Sequence, residues 1–233
     1  MELFNPRLKH AFSITAACIA LFSFVQFLLF YVPFGFFYES RWLLILSSHL
    51  TNFFEAFFPV VAALIIFLTR ENALKNKIVP CILISLTRLF YSVPYYYIYY
   101  VSDVFNSIEA IILAFLVSVL YISFFFLQTF ICIFIINYIE KRAKKEACDR
   151  EFAKLFNVDD HINFGIALSV IFVFVIFFIR EAVSTVRYLI DNSGSYRTQE
   201  IVTIVFSYLL LFIFSFIHYI IAAFIKNRLL KNA

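Results

Sequence analysis

The sequence predicts an all-α, polytopic integral membrane protein with six transmembrane helices and both termini on the cytoplasmic side. Three observations predict it. The 233-residue chain is 64% hydrophobic, 21% aromatic and only 15% charged, which is more apolar surface than one soluble core of that size can hide. Its apolar residues gather into runs long enough to cross roughly 30 Å of hydrocarbon as about 20 helical residues. Its Lys and Arg residues fall almost entirely in alternate gaps between those runs. Backbone groups in lipid must be satisfied within the segment, and runs this long without period-2 alternation make helices rather than a barrel.

The first run, about 11–34, follows Arg7 and Lys9. It is too long for a cleaved leader and reads as a signal anchor. Ala16-x-x-x-Ala20 gives it one small-residue face, of the kind that mates with another helix or subunit. The second, about 43–68, carries His49, Asn52, Glu55 and Pro59. The third, about 78–101, carries Arg88 and Pro94 and ends in Tyr91, Tyr95, Tyr96, Tyr97, Tyr99 and Tyr100, an aromatic belt with ring bodies toward lipid and hydroxyls toward headgroups. Both prolines remove a helix hydrogen bond and are expected to kink their spans.

The fourth run, about 107–138, is longer than a bilayer needs, so it predicts tilt or a helix that continues into the basic segment after it. The gap 139–161 reads as a short amphipathic helix with Ala143, Ala147, Phe152, Leu155 and Phe156 on one side. Asp159 or Asp160 is placed to cap the next helix. The fifth run, about 162–189, carries Arg180, Glu181, Ser184 and Arg187, and the sixth, about 200–225, carries His218. His218 and Gln128 read as polar residues that hold helices together. No Pro-, Gly- or Ser-rich linker interrupts the chain, so residues 1–233 read as a single transmembrane domain.

Orientation follows from the basic residues. Arg7 and Lys9, then Arg70, Lys75 and Lys77, then Lys141, Arg142, Lys144, Lys145, Arg150 and Lys154, and finally Lys226, Arg228 and Lys231 make fourteen of the 19, all on one side. The positive-inside rule places that side in the cytoplasm. Orientation and attraction to anionic lipid account for the net charge of +4, so the lipid bilayer is the expected partner and nucleic acid is not. A second membrane protein or another copy of the chain is the further partner considered.

Buried charge is the most informative chemical feature. Arg88 and Glu55 fall near the middle of neighbouring spans, at about 1.5 Å per residue, where an isolated Arg costs about 2.5–3.5 kcal/mol. An Arg88–Glu55 pair solves both problems. His49, Asn52 and Glu55 share one broad helix face and, with Arg88, define a candidate polar interior. A weaker outer vestibule combines Tyr91 and Tyr95, at helical spacing from Arg88, with Arg180 and Arg187. Glu109 and Glu200 lie at the same level and can neutralise those cations.

No metal site, cofactor motif or catalytic signature is present: H-E-x-x-H, G-x-S-x-G and the phosphate-binding loop are all missing, and Cys18, Cys81, Cys132 and Cys148 show no paired spacing. Only three glycines occur, against 34 Phe, so glycine-mediated helix crossings are scarce. These features point to a permease-like or substrate-binding membrane subunit for a small anionic solute. The alternative is a non-catalytic membrane scaffold or assembly factor, and an intramembrane lipid-modifying enzyme comes third. Small size and compact loops favour the bacterial inner membrane over an endomembrane.

Overall fold

A computed structural model of the chain describes residues 13, 15–21, 41–68, 75–89, 92–94, 96–97, 107–145, 161–191 and 198–231. Among the described residues every regular element is a helix. We number the long ones α1 (Arg41–Leu68), α2 (Lys75–Leu86), α3 (Ser107–Lys145), α4 (His161–Asp191) and α5 (Thr198–Lys231). Among the described residues three helical stretches are long and apolar enough to cross a membrane, Ile108–Arg142 in α3, His161–Arg187 in α4 and Ile204–Arg228 in α5.

These helices follow the apolar runs. α1 coincides with the second run, and α4 and α5 cover the fifth and sixth with a few residues added at the ends. α3 has 39 residues, about 58 Å of helix at 1.5 Å per residue, and continues through the basic residues to Lys145. The third run is the exception. Its helix stops at Leu86, a turn follows at Thr87–Arg88, and helical residues resume at 89, 92–94 and 96–97. The interruption lies six residues before Pro94, where the kink was expected. Of the amphipathic segment expected at 139–161, residues 139–145 form the end of α3 and 146–160 lie outside the described residues.

The helices are sorted in the opposite sense from those of a water-soluble protein. Leu120 is 70% exposed and Phe212 62% exposed, and their neighbours Ile112, Leu116, Phe216 and Ile220 are exposed as well. Ser118, Gln128, Thr129, Asn137, Ser169, Ser207 and His218 are buried. Exposed apolar area on this scale marks contact with lipid or another apolar surface. On α3 the buried positions Ala110, Ala114, Ser118, Phe125, Gln128, Cys132 and Ile136 recur at steps of three, four or seven residues, so a single seam faces inward.

Clustering of the backbone divides the chain into two compact units. The first takes the residues up to Leu44 with Val61–Phe134, and the second takes Ile45–Val60 with Ile135–Ala233. In the second unit α4 packs against α5. Tyr208 donates to Thr185 Oγ1 at 3.4 Å, and the Phe178 and Tyr208 rings lie 5.2 Å apart. The α4 backbone comes close to α3 at Gly165, where an added Cβ would stand 3.0 Å from Ile136 Cα.

That spacing makes a prediction. Gly165→Ala gains about 1 kcal/mol of helix propensity and loses a similar amount to the tight contact. Gly165→Leu adds bulk against a backbone atom that cannot rotate away, an overpacking cost of about 1–3 kcal/mol. Thermal unfolding of the purified protein should show Ala near neutral and Leu clearly destabilised.

Candidate functional site

A fully buried cation, Arg88, lies in the first unit, at the interruption after α2. Here the backbone changes from α-helical to tighter pairing. The Thr87 N–H donates to the Ile84 carbonyl at 3.2 Å and the Arg88 N–H to the Ser85 carbonyl at 3.1 Å, both three residues back in the manner of a 3₁₀ turn. The Thr87 hydroxyl also donates to the Ile84 carbonyl, at 2.6 Å, so a side chain competes with the helix for its own backbone. Beyond the turn, Ser92 donates to the Arg88 carbonyl through its N–H at 3.0 Å and its Oγ at 3.1 Å.

Arg88 is 0% exposed. Its Nη2 donates to the Tyr121 hydroxyl of α3, and its guanidinium carbon stands 5.3 Å from the centre of the Tyr121 ring and 5.8 Å from that of Phe125. The magnitudes explain why the cation is tolerated. Taking a cation out of water costs on the order of several kcal/mol. A hydrogen bond from a charged group returns about 1.5–3 kcal/mol, and each ring face about 0.5–2 kcal/mol.

α2 and its continuation run antiparallel to α3. Cys81 Sγ donates to the Phe126 carbonyl at 3.7 Å, and seven residues further on Arg88 meets Tyr121. Extending that register one turn brings Ser92 to the level of Ser118, and both are fully buried. The Ser118 hydroxyl and Gln128 Nε2 have no hydrogen-bond partner among the described residues. Lys77, read from the sequence as a loop cation, is also buried. Its Nζ donates to the Phe67 carbonyl at 3.4 Å and lies 4.5 Å from the centre of the Phe67 ring. Phe67 is in the last turn of α1, where carbonyls have no intrahelical donor and a cation is favoured.

The second unit holds a different polar cluster. Glu55 Oε2 of α1 lies 3.9 Å from Arg180 Nη1 of α4, with Glu55 mostly covered and Arg180 67% exposed. At that separation and exposure the pair contributes little. One turn away, His218 Nε2 of α5 lies 2.8 Å from the Phe53 carbonyl. A carbonyl can only accept, so Nε2 carries the proton. The imidazole stacks on Phe53 at 4.2 Å and Phe57 at 5.3 Å, with Phe174 at 5.6 Å.

Of the residues singled out from the sequence, Arg88 belongs to the first unit and Glu55 to the second. Tyr121 and Arg180 are their respective neighbours. His49 and Asn52 lie on α1, but their side chains are outside the described residues, as are Tyr91 and Tyr95 altogether. Arg180 and Arg187 are exposed on α4 and Glu109 is exposed in the first turn of α3. Glu200 is in the first turn of α5 with its side chain outside the described set. Tyr121, Ser118 and Ser92 escaped the sequence reading. Pairing adjacent apolar runs antiparallel would have brought them opposite Arg88.

No known family model matches the chain, and neither a curated protein nor a solved structure is similar to it. A planar guanidinium against a phenol, with the buried Ser118 hydroxyl within a turn of it in register, is suited to a carboxylate or another small oxyanion.

A double-mutant cycle on Arg88→Gln and Tyr121→Phe checks the contact. Each single change should lower stability by about 1–3 kcal/mol, and the double change by less than their sum, with a coupling of about 1–2 kcal/mol.

Proposed function

We propose that this chain is a multi-pass membrane protein of six spans, both termini cytoplasmic, that recognises a small anionic solute in the manner of a permease or substrate-binding subunit. The single observation that carries the reading is a fully buried arginine at a turn that interrupts an apolar helix. Interrupted helices near mid-membrane are where transporters bind substrate, because backbone that leaves the helix there must line a cavity or be covered by protein. The alternation of basic gaps supports the topology, and the compact loops support a bacterial inner membrane.

A second reading, a non-catalytic scaffold, draws on one feature. α3 runs on through Lys141, Arg142, Lys144 and Lys145, a basic helix end suited to an acidic partner or to anionic headgroups.

Anion-dependent stabilisation separates the two. Purified protein in detergent, unfolded by heat in chloride, acetate or sulfate at fixed ionic strength, should be stabilised by at least one of them, by about 2.7 kcal/mol at a hundred times its Kd. Arg88→Gln should abolish that gain and Arg88→Lys should keep part of it, the point charge without the fork. Wild-type protein indifferent to all three anions, or a gain that survives in Arg88→Gln, would remove the solute reading. Substitution of Lys141, Arg142, Lys144 and Lys145 should leave the gain unchanged.

A further inference from the structure

We infer that the anion reaches Arg88 along the face shared by α2 and α3, with Gln128 and Lys77 as successive stations between Arg88 and the Lys75 end of α2. The inference rests on the anion-site reading and adds a route to it. Lys77, Cys81 and Ser85 are buried at spacings of four on one face of α2, and beyond the turn Arg88 and Ser92 are buried as well. The contacts of Cys81 with Phe126 and of Arg88 with Tyr121 place that face against the buried seam of α3.

The groups along this face are mainly donors. Arg88 and Lys77 are cations, and Gln128 Nε2 is a buried donor without a partner among the described residues, as the Ser118 hydroxyl is near the Arg88 end. Neither 72–102 nor 110–139 contains an Asp or Glu, so the two facing stretches bring no negative charge of their own. At about 1.5 Å per residue, Gln128 lies roughly 10 Å along α3 from Tyr121, and Lys77 roughly 16 Å along α2 from Arg88. Donor groups at intervals of this kind let an ion leave each site for the next, which a single tight site prevents.

Cys81 is a native reporter on that face, between Lys77 and Arg88. The test treats the wild-type protein in lipid nanodiscs with an anionic thiol reagent, methanethiosulfonate ethylsulfonate, and with its cationic trimethylammonium counterpart, and follows modification of Cys81 by mass spectrometry. Focusing by the two cations should make the anionic reagent faster by about tenfold or more. Lys77→Met should erase the preference and Lys77→Arg should retain it. Should Lys77→Met fail to fold, Gln128→Leu takes its place, with the same loss of preference expected.

A Cys81 that neither reagent reaches, equal rates for the two, or a preference unchanged by Lys77→Met would overturn the route, and would leave Lys77 as a cap on the end of α1. That result is independent of the anion-stabilisation test on Arg88→Gln. The solute reading can therefore stand while the route fails, or fall while Cys81 labelling still reports a cation-lined passage.

Discussion

The rest of the structure depends on one constraint: polar atoms on these helices must find partners within the protein, because lipid offers none. Its effect is visible at three of the buried hydroxyls, though that of Ser118 has no partner among the described residues. Ser85 donates to Cys81, Thr129 to Phe125 and Ser169 to Gly165, each to a carbonyl four residues back on its own helix. Lys77 is drawn to the open carbonyl of Phe67, and Arg88 to a phenol. The outer faces are left to Ile, Leu, Val and Phe. Burial of apolar surface from water contributes little between helices in such a solvent, so packing and these polar contacts hold the helices together.

The two units meet this constraint with different chemistry. In the first, a cation is surrounded by hydroxyls and ring faces. In the second, His218 reaches across to a main-chain carbonyl from a stack of phenylalanines. Pro59 has no N–H to give to the Glu55 carbonyl, but the carbonyl that accepts from His218 is that of Phe53, two residues earlier.

Much of the fold could be read in the sequence because lipid leaves the backbone few options. The ends of α1, α3, α4 and α5 follow apolar runs whose length is dictated by hydrogen bonding within each helix. Counting residues from the edge of a run singled out Arg88 and Glu55. Rotation about each helix axis could not be read. The neighbours found for the two charges, Tyr121 and Arg180, depend on which way α3 and α4 turn, and apolar runs with hydrophobic residues on every side carry no phase to fix it. The turn at Thr87–Arg88 was hidden for a related reason. Thr87 and Ser85 are ordinary in a membrane helix, and only their bonds back to Ile84 and Cys81 mark where the helix gives way.

Gly165 has a mechanical consequence. Where phenylalanine side chains separate two helices, rotamer changes let them slide or part by small steps. Where the α4 backbone lies against the Ile136 backbone atom with no side chain between, there is nothing to compress and nothing to rearrange. That point behaves as a fulcrum: α3 and α4 can swing about it, but their axes cannot approach further there.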